Sequence, residues 1–490
     1  MNKINNKTRP DAAGRRSANR WWALVVLALA QFLVVLDASI VNIALPAVGE
    51  DLALDTTALS WIITAYVLPF GGLLLLGGRL ADRYGHRRIF MIGILGFAAA
   101  SAAAGLASSG EWLLAARAVQ GASAALLAPA ALALVTKLFT EPGDRAKALG
   151  IWGAVAGIGS AAGVLLGGVL TGAFGWAAVF FVNVPIGFLV LIAIPALVTK
   201  DTLGVTAKTD MPGAITVTAG LTLFVYALSE GERAGWASPV IGILLAAAIV
   251  LLTAFVIIEK RSANPLVPFS IFRNRSVLAG NVATLLIGGA TTGLFFALSV
   301  YMQAVLHYDA LTAGLTQLPL AIALVVAAGA VPGVMKKIGP RMSLAASLLV
   351  FAAGLVWLSL APSDASFAAH LLAPTIVLGA GLGGAFVTGT QLAVHGVSQQ
   401  DDGLASGLVN TSQQIGGAVG LILLGMLSSS RTASLLASGK EQTVALSGGF
   451  SWVFLGAALL AVIGAAVAVV LRGRSASREA LLGGETIVER

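Results

Sequence analysis

Two charged side chains inside apolar stretches are the residues of this chain best suited to chemistry. Asp37 stands in the middle of the first long apolar stretch, and Arg117 stands in the fourth. A carboxylate at membrane depth costs a few kcal/mol, so such residues usually mark an ion or substrate path. Arginine keeps its proton in proteins, whereas one carboxylate can hold either a proton or a cation. The pair therefore predicts proton or cation coupling, with Asp37 as the binding group and Arg117 as the charge that biases it.

The sequence neighbours of Asp37 along one helical face are Leu33 and Val41, which offer no partner. A partner must therefore come from another helix. Gln120 lies one turn from Arg117 on the same face. Two other interpretations stay open: Asp37 can be a structural acid that is hydrogen-bonded for packing, and Arg117 can extend to a membrane interface.

A short basic turn lies between the second and third apolar stretches. Its glycines allow a tight reversal of the chain, and its arginines favour the cytoplasmic side of a membrane. An ordinary basic loop would explain the arginines but neither the acid nor the glycine spacing. We therefore predict a cytoplasmic gate loop, formed by Gly78, Asp82, Arg83, Gly85, Arg87 and Arg88.

The elements that position these residues are membrane helices. The chain has 490 residues, of which 58% are hydrophobic and 11% are charged, whereas about 25% of the residues in soluble domains are charged. Each crossing takes about 20 apolar residues, which predicts an all-α integral membrane protein with fourteen spans. The predicted spans are 21–45, 59–79, 88–108, 111–136, 147–172, 178–198, 211–230, 238–258, 277–306, 312–334, 342–361, 368–394, 404–428 and 450–471.

Lysine and arginine are unevenly distributed around these spans. The apparent outer loops hold only Arg233, Arg431 and Lys440, whereas the tails and inner loops hold nearly all the others. The positive-inside rule then predicts a plasma-membrane protein with both termini in the cytoplasm. The net charge of +8 comes from this asymmetry, so we expect no nucleic-acid partner.

The composition also bears on metals, cofactors and catalysis. The sequence has no cysteine and only four scattered histidines, so we expect no metal site and no cofactor. An enzyme would need a cluster of catalytic groups at membrane depth, and only Asp37 and Arg117 are available there. We therefore expect no enzyme, and transport would take its energy from an ion gradient or a partner.

The two ends of the chain are related by an internal repeat. A shift of about 254 to 258 residues aligns Gly85 with Gly339, Gly121 with Gly379, Gly150 with Gly407 and Gly163 with Gly420. Spans 1–6 then correspond to spans 9–14, with spans 7 and 8 inserted. The predicted parts are a tail at 1–20, a six-helix half at 21–200, the inserted pair at 201–262, a second six-helix half at 263–472 and a tail at 473–490.

Small and polar residues in the spans suggest packing and binding surfaces. Span 5 has glycines at spacings that allow close helix approach, namely Gly159, Gly163, Gly167 and Gly168. The second half has Thr375 at the position of Arg117 and Thr291 near that of Asp37. Apolar walls with few polar groups suit an amphipathic ligand. The candidate cavity residues are Trp61, Tyr66, Gln120, Trp152, Phe295, Tyr301, Gln303, Gln317 and Asn410.

Several of these motifs resemble the major facilitator superfamily. The basic turn resembles the family's loop between spans 2 and 3, and residues 117–121 resemble its span 4 motif. Residues 163–168 resemble its antiporter signature, with Val164 where that signature has proline. Residues 36–46 and 183–187 look like the fourteen-span drug:proton antiporters of the QacA and EmrB type. The resemblance implies the major facilitator fold, with two six-helix halves that rock around a central site.

The resemblance also implies export of lipophilic, often cationic compounds in exchange for protons across the lipid bilayer. It suggests that Asp82 accepts hydrogen bonds at the start of span 13, near residues 403–406, where the helix dipole favours an anion. The open alternatives are a dedicated exporter of one metabolite or antibiotic, an uptake symporter, which Val164 suggests, and a non-transporting receptor. The expected partners are a small-molecule substrate and protons, and the need for a periplasmic adaptor is unknown.

Overall fold

The structure is a computed structural model that describes residues 11–199, 210–263, 265–395 and 402–471. Regular secondary structure in these ranges is helical. The helices of the first part are α1 (Asp11–Asp51), α2 (Thr56–Tyr84), α3 (His86–Gly105), α4 (Gly110–Leu138), α5 (Pro142–Phe174), α6 (Ala178–Phe181) and α7 (Asn183–Leu197). The later helices are α8 (Met211–Ala234), α9 (Pro239–Arg261), α10 (Arg275–Val300), α11 (Ala310–Ser359), α12 (Leu372–Val394), α13 (Asp402–Ala437) and α14 (Gln442–Val470).

Acidic caps begin two of these helices at one end of the bundle, which we call the Asp55 end. Asp55 accepts the backbone N–H of Ala58, and Asp309 accepts that of Thr312. Such caps satisfy N–H groups that have no partner within the helix. The hydrogen bonds from the side chain and backbone of Thr312 hold the pKa of Asp309 below its ordinary value.

The opposite end of the bundle, the Gly85 end, holds two matching turns. Gly85 joins α2 to α3 with a φ of 94°, and Gly339 lies within α11 with a φ of 80°. Both values lie in the region that glycine adopts readily and other residues avoid. The repeat had aligned these two glycines, and they have the same unusual backbone conformation.

Twelve helices among the described residues are long and apolar enough to cross a membrane, rather than the fourteen spans expected. The difference lies at α5 and α11. Among the described residues of α5 the apolar segment is Ala162–Phe174, and the 50 residues of α11 contain non-helical backbone at Gly339, with a φ of 80° and a ψ of 161°. Leu320 and Gly354 nevertheless both pack against neighbouring residues of α12, Gly379 and Leu378. The chain of α11 therefore folds back at Gly339.

Glycines bring the helices of each half into backbone contact. A Cβ on Gly121 of α4 would overlap the carbonyl oxygen of Tyr66 in α2, and a Cβ on Gly379 of α12 would overlap that of Leu320 in α11. These two glycines are also aligned by the repeat. The same close approach is thus built twice, once in each part of the chain.

The first and last parts of the chain meet where α1 and α5 contact α10 and α11, and where α2 contacts α13. Ser299 donates to the carbonyl of Asn42 at 2.6 Å, and Gln303 donates to that of Ile43 at 3.1 Å. A Cβ on Gly168 of α5 would lie 2.6 Å from the carbonyl oxygen of Ala310. The contacts of Ser299, Gln303 and Gly168 lie toward the Asp55 end.

Helices α8 and α9 form the inserted pair, in which α9 packs on α8 and α8 packs against α2 and α13. Gly72 of α2 makes room for this contact, since a Cβ there would lie 2.8 Å from the hydroxyl oxygen of Thr218 in α8. The predicted span 211–230 falls within α8, and the predicted span 238–258 begins one residue before α9. Residues 200–209 lie outside the described ranges, so the predicted boundary at 201 stays a prediction.

Candidate functional site

Asp37 and Arg117 form an ion pair in the interior of the first six helices. Nη1 of Arg117 lies 2.6 Å from Oδ2 of Asp37. Asp37 is 0% exposed and Arg117 is 1% exposed. The expectation that the partner of Asp37 comes from another helix is confirmed, because α4 supplies it. Arg117 does not extend to an interface.

Two neutral amides complete the surroundings of the carboxylate. Gln120 of α4 donates to Oδ1 of Asp37 at 2.8 Å, and Asn183 of α7 donates to the same oxygen at 2.9 Å. Both amides also donate to the hydroxyl of Ser101 in α3, which in turn donates to the carbonyl of Phe180. The carboxylate therefore accepts three hydrogen bonds, and α1, α3, α4 and α7 meet at this point.

The other contacts of Arg117 reach α2. Its Nε donates to the carbonyl of Ile62 at 3.2 Å, and its Nη1 also donates to Oε1 of Gln120 at 2.7 Å. The guanidinium lies 4.3 Å from the ring centre of Tyr66, within the range of a cation–π contact. Buried ion pairs persist only when further hydrogen bonds offset the loss of water, and these contacts supply them.

The sequence interpretation missed Asn183 and Ser101 as members of this site. Both are fully buried polar side chains in otherwise apolar helices. Asn183 begins α7 directly after the short helix α6, and residues 183–187 had been noted only for their family resemblance. A search for polar residues within the spans would have marked both, because buried polar groups are normally hydrogen-bonded.

The predicted gate loop forms the Gly85 turn. The carboxylate of Asp82 is 65% exposed and lies 3.1 Å from Nε2 of His86, and Nδ1 of His86 lies 2.8 Å from Nζ of Lys137 in α4. The guanidinium of Arg83 lies 5.2 Å from the ring centre of its neighbour Tyr84. Helix α13 begins at Asp402, and the predicted contact of Asp82 with residues 403–406 at its start stays a prediction. Arg87 is partly buried and Arg88 is exposed.

Gly77, rather than Gly78, makes the tight contact in this region. A Cβ on Gly77 would overlap the carbonyl oxygen of Ala125 in α4, whereas a Cβ on Gly78 would have only ordinary contact with Pro129 at 3.8 Å. The prediction had named Gly78 from the motif pattern. The close approach to α4 is therefore made by Gly77, the residue before Gly78.

The span 5 glycines serve two different contacts. Gly159, Gly163 and Gly167 face α1, and a Cβ on Gly163 would lie 2.6 Å from Cβ of Ser39. Gly168 faces Ala310 of α11 instead. One glycine-rich helix thus packs closely on α1 and on a helix from the other part of the chain.

The candidate cavity residues do not meet at one place. Tyr66 and Gln120 belong to the ion-pair site, and Gln303 lies between α1 and α10. The ring of Trp61 packs against Tyr226 of the inserted α8, with ring centres 6.1 Å apart.

The other candidates are spread through the second part of the chain and α5. Tyr301 donates to the carbonyl of Pro362 at 2.7 Å, and Gln317 donates within its own helix to Ala313. Trp152 and Phe295 are partly buried against the apolar core. Asn410 is exposed on α13.

A groove of about 410 Å³ lies between α2 and α8, away from the candidates named above. Its lining is almost entirely apolar. The lining residues are Leu73, Ile215, Thr218, Ala219, Thr222 and Leu223.

Known proteins resemble this chain along most of its length. The puromycin resistance protein of Streptomyces alboniger is 41% identical over 421 residues, which cover 85% of this chain and 84% of that protein. The cephamycin export protein CmcT of Amycolatopsis lactamdurans is 41% identical over 448 residues, which cover 90% of both chains.

A solved structure has the same fold. The crystal structure of an auto-inhibited peptide transporter of the POT family superposes with a TM-score of 0.68, covering 92% of this chain and 97% of that one at 15% identity. The sequence profile of the Major Facilitator Superfamily matches residues 27–421 and 336–486. The buried ion pair and the repeated turns agree with these matches. The chain therefore belongs to the Major Facilitator Superfamily.

Proposed function

We propose that this chain exports antibiotic-like small molecules by alternating access, in exchange for protons. Two relatives support the substrate class, since one is named for resistance to puromycin and the other for export of cephamycin. The buried pair of Asp37 and Arg117 is the observation that carries the coupling part of the proposal. Acids paired inside membrane spans are typical of proton relays in transporters.

The hydrogen bonds of Asp37 suggest how a proton acts. The ionised carboxylate accepts from Arg117, Gln120 and Asn183. A protonated carboxyl group has no charge to offer Arg117, which would then remain buried without a counter-charge. Such a state is costly, so we propose that protonation moves Arg117 together with the helix that carries it.

Contacts through α2 connect Arg117 to the second part of the chain. Arg117 contacts Tyr66 of α2, and α2 packs closely on α13. A Cβ on Gly71 of α2 would lie 2.6 Å from Cβ of Gln414 in α13. We propose that α2 carries the change in charge at Asp37 to this interface.

In this proposal the substrate binds to the same carboxylate as the proton. In this conformation Asp37 is 0% exposed, so a substrate cannot touch it. We propose that the conformation open to the cytoplasm exposes Asp37, where a cationic substrate competes with the proton.

We also propose fourteen crossings, with both termini in the cytoplasm. The reversal of α11 at Gly339 supports two crossings within that helix. The 33 residues of α5 are long enough for another, since a crossing takes about 20. The Gly85 end then faces the cytoplasm, as its arginines predict.

A dedicated exporter of one compound is the second candidate. It is favoured by the names of the two relatives, each of which refers to a single antibiotic. Lipophilic cations as a broad substrate class, by contrast, rest on the resemblance alone.

A drug-susceptibility panel in an efflux-deficient host tests both candidates. The panel should include puromycin, a cephamycin and lipophilic cationic dyes, each with and without a protonophore. Resistance that the protonophore abolishes would support proton-coupled export, and resistance that persists would contradict it. Resistance to unrelated compounds favours a multidrug exporter, whereas resistance to one compound favours the dedicated one.

A further inference from the structure

Two buried acids lie at the Gly85 end of the inserted pair, far along the chain from Asp37. Asp210 caps α8 and is 7% exposed, and Glu259 lies in the last turn of α9 and is 3% exposed. Oδ1 of Asp210 accepts the N–H of Gly213 at 2.8 Å, and Oε2 of Glu259 accepts the N–H of Val267 at 3.0 Å. One oxygen of each carboxyl group is thus held by the backbone.

Gly213 shows that the two carboxyl groups share one small space. A Cβ on Gly213 would lie 2.7 Å from Oε1 of Glu259 and 3.1 Å from Oδ1 of Asp210. The two groups therefore lie within about 6 Å of each other, a distance at which like charges strongly disfavour one another.

The second oxygen of each group has no hydrogen-bond partner in the part of the chain that the structure describes. These atoms are Oδ2 of Asp210 and Oε1 of Glu259, and both are buried. Val267, whose N–H binds Glu259, and Ala214, which follows Gly213, belong to a small apolar cluster with Leu76, Leu266 and Leu408. Buried polar atoms normally have partners, so these two oxygens point to a missing hydrogen or ion.

Within the described ranges, the charges around the two acids do not balance. Arg79 of α2 lies nearby, and its guanidinium donates to the carbonyl of Pro265 at 3.0 Å. Among the other basic residues that the structure describes near this site, Lys260, Arg261 and Arg273 are exposed. Two ionised carboxylates against one part-buried guanidinium would leave one buried negative charge, which is costly.

We propose that Asp210 and Glu259 hold one proton between them, forming a protonation site separate from Asp37. One proton removes the excess charge and supplies a donor for the unpartnered oxygens. A calcium or magnesium ion would need about six oxygen ligands, and these two carboxyl groups are the acids present here among the described residues.

The helix ends place the proton on Glu259. Asp210 lies at the amino-terminal end of α8, where the helix dipole stabilises a carboxylate. Glu259 lies at the carboxy-terminal end of α9, where the dipole disfavours one. The site thus joins α8 to α9 beside Arg79 of α2, and release of its proton would set two carboxylates against each other and loosen α8 from α9.

Infrared spectroscopy of the full-length protein in detergent tests the proposal. The wild type at neutral pH should show a carboxylic-acid C=O band that Glu259→Gln lacks and the exposed control Asp364→Asn keeps. Asp210→Asn retains the cap but removes the like charge, so this band should titrate about one pH unit lower or more. Arg79→Gln should shift the titration of this band to higher pH, because a positive charge nearby is lost. Since Arg79→Gln keeps both acids, it tests the proposal even if Glu259→Gln fails to fold.

Identical spectra of the wild type and Glu259→Gln, or a band that neither Asp210→Asn nor Arg79→Gln shifts, would overturn the proposal. Thermal unfolding of the wild type in choline, sodium, potassium and magnesium chloride separates a proton from a cation. We expect no stabilisation by any one cation. Stabilisation by a metal cation that Glu259→Gln abolishes would assign the site to that cation instead.

Discussion

The guanidinium of Arg117 lies 4.3 Å from the ring centre of Tyr66. This contact links the ion pair of α1 and α4 to α2, which in turn packs against α13 from the other part of the chain. A change of charge at the pair is therefore one side chain away from a helix that bridges the two parts.

Replacing Asp37 with asparagine should abolish proton-coupled efflux while leaving expression intact. The amide keeps the size of the side chain but cannot hold a proton or pair with Arg117. Dye efflux from energised cells, with and without a protonophore, measures the effect. The matched control is Asp364→Asn at an exposed acid, and protonophore-sensitive efflux at the wild-type rate in Asp37→Asn would remove Asp37 from the mechanism.

Breaking the ion pair from the other side should destabilise the protein. Arg117→Met leaves a buried carboxylate without its counter-charge, which typically costs about 3–5 kcal/mol. The double variant Asp37→Leu, Arg117→Met removes both charges and should recover much of this loss. Unfolding in detergent micelles compares the three proteins. A single variant as stable as the wild type would show that the pair contributes nothing to the fold.

The ring of Tyr66, rather than its hydroxyl, should matter for transport. The hydroxyl is buried without a hydrogen-bond partner in the described part of the chain, so Tyr66→Phe should transport at about the wild-type rate. Tyr66→Leu loses the cation–π contact, which is worth about 2 kcal/mol when desolvated, and should slow transport. Equal rates in the two variants would mean that the aromatic face plays no part.

The adjacent glycines of the gate region should respond differently to one added methyl group. Gly77→Ala would overlap the carbonyl oxygen of Ala125, whereas Gly78→Ala has room beside Pro129. Overpacking of this kind costs about 1–3 kcal/mol, so we expect loss of stability in Gly77→Ala alone. The melting temperatures of the two purified variants measure this difference. An equal fall in melting temperature in both variants would contradict the assigned packing.

Substrate affinity should rise with pH if a cation and a proton compete for Asp37. Fewer protons then occupy the carboxylate at higher pH, and the cation binds more often. Binding of a cationic dye to detergent-solubilised protein between about pH 5 and 9 measures this. A flat profile would rule out competition. Asp37→Asn is the control, and its binding should not depend on pH.

The sequence by itself determined the class of fold and the residues most suited to coupling. Long apolar stretches must form helices in a membrane, because only helices satisfy their own backbone there. Asp37 and Arg117 stood out for the same local reason, since charge within such a stretch is rare. The alignment of Gly85 with Gly339 was also readable, because a turn that needs positive φ selects glycine.

Tertiary structure decided which of these residues meet. Asn183 and Ser101 complete the ion-pair site although they are 82 positions apart, and the candidate cavity residues separate into different interfaces. The acids Asp210 and Glu259 come together only because α8 and α9 pack side by side. A helix that is apolar on every side carries no signal for its own rotation, so packing against its neighbours decides which polar residues face one another.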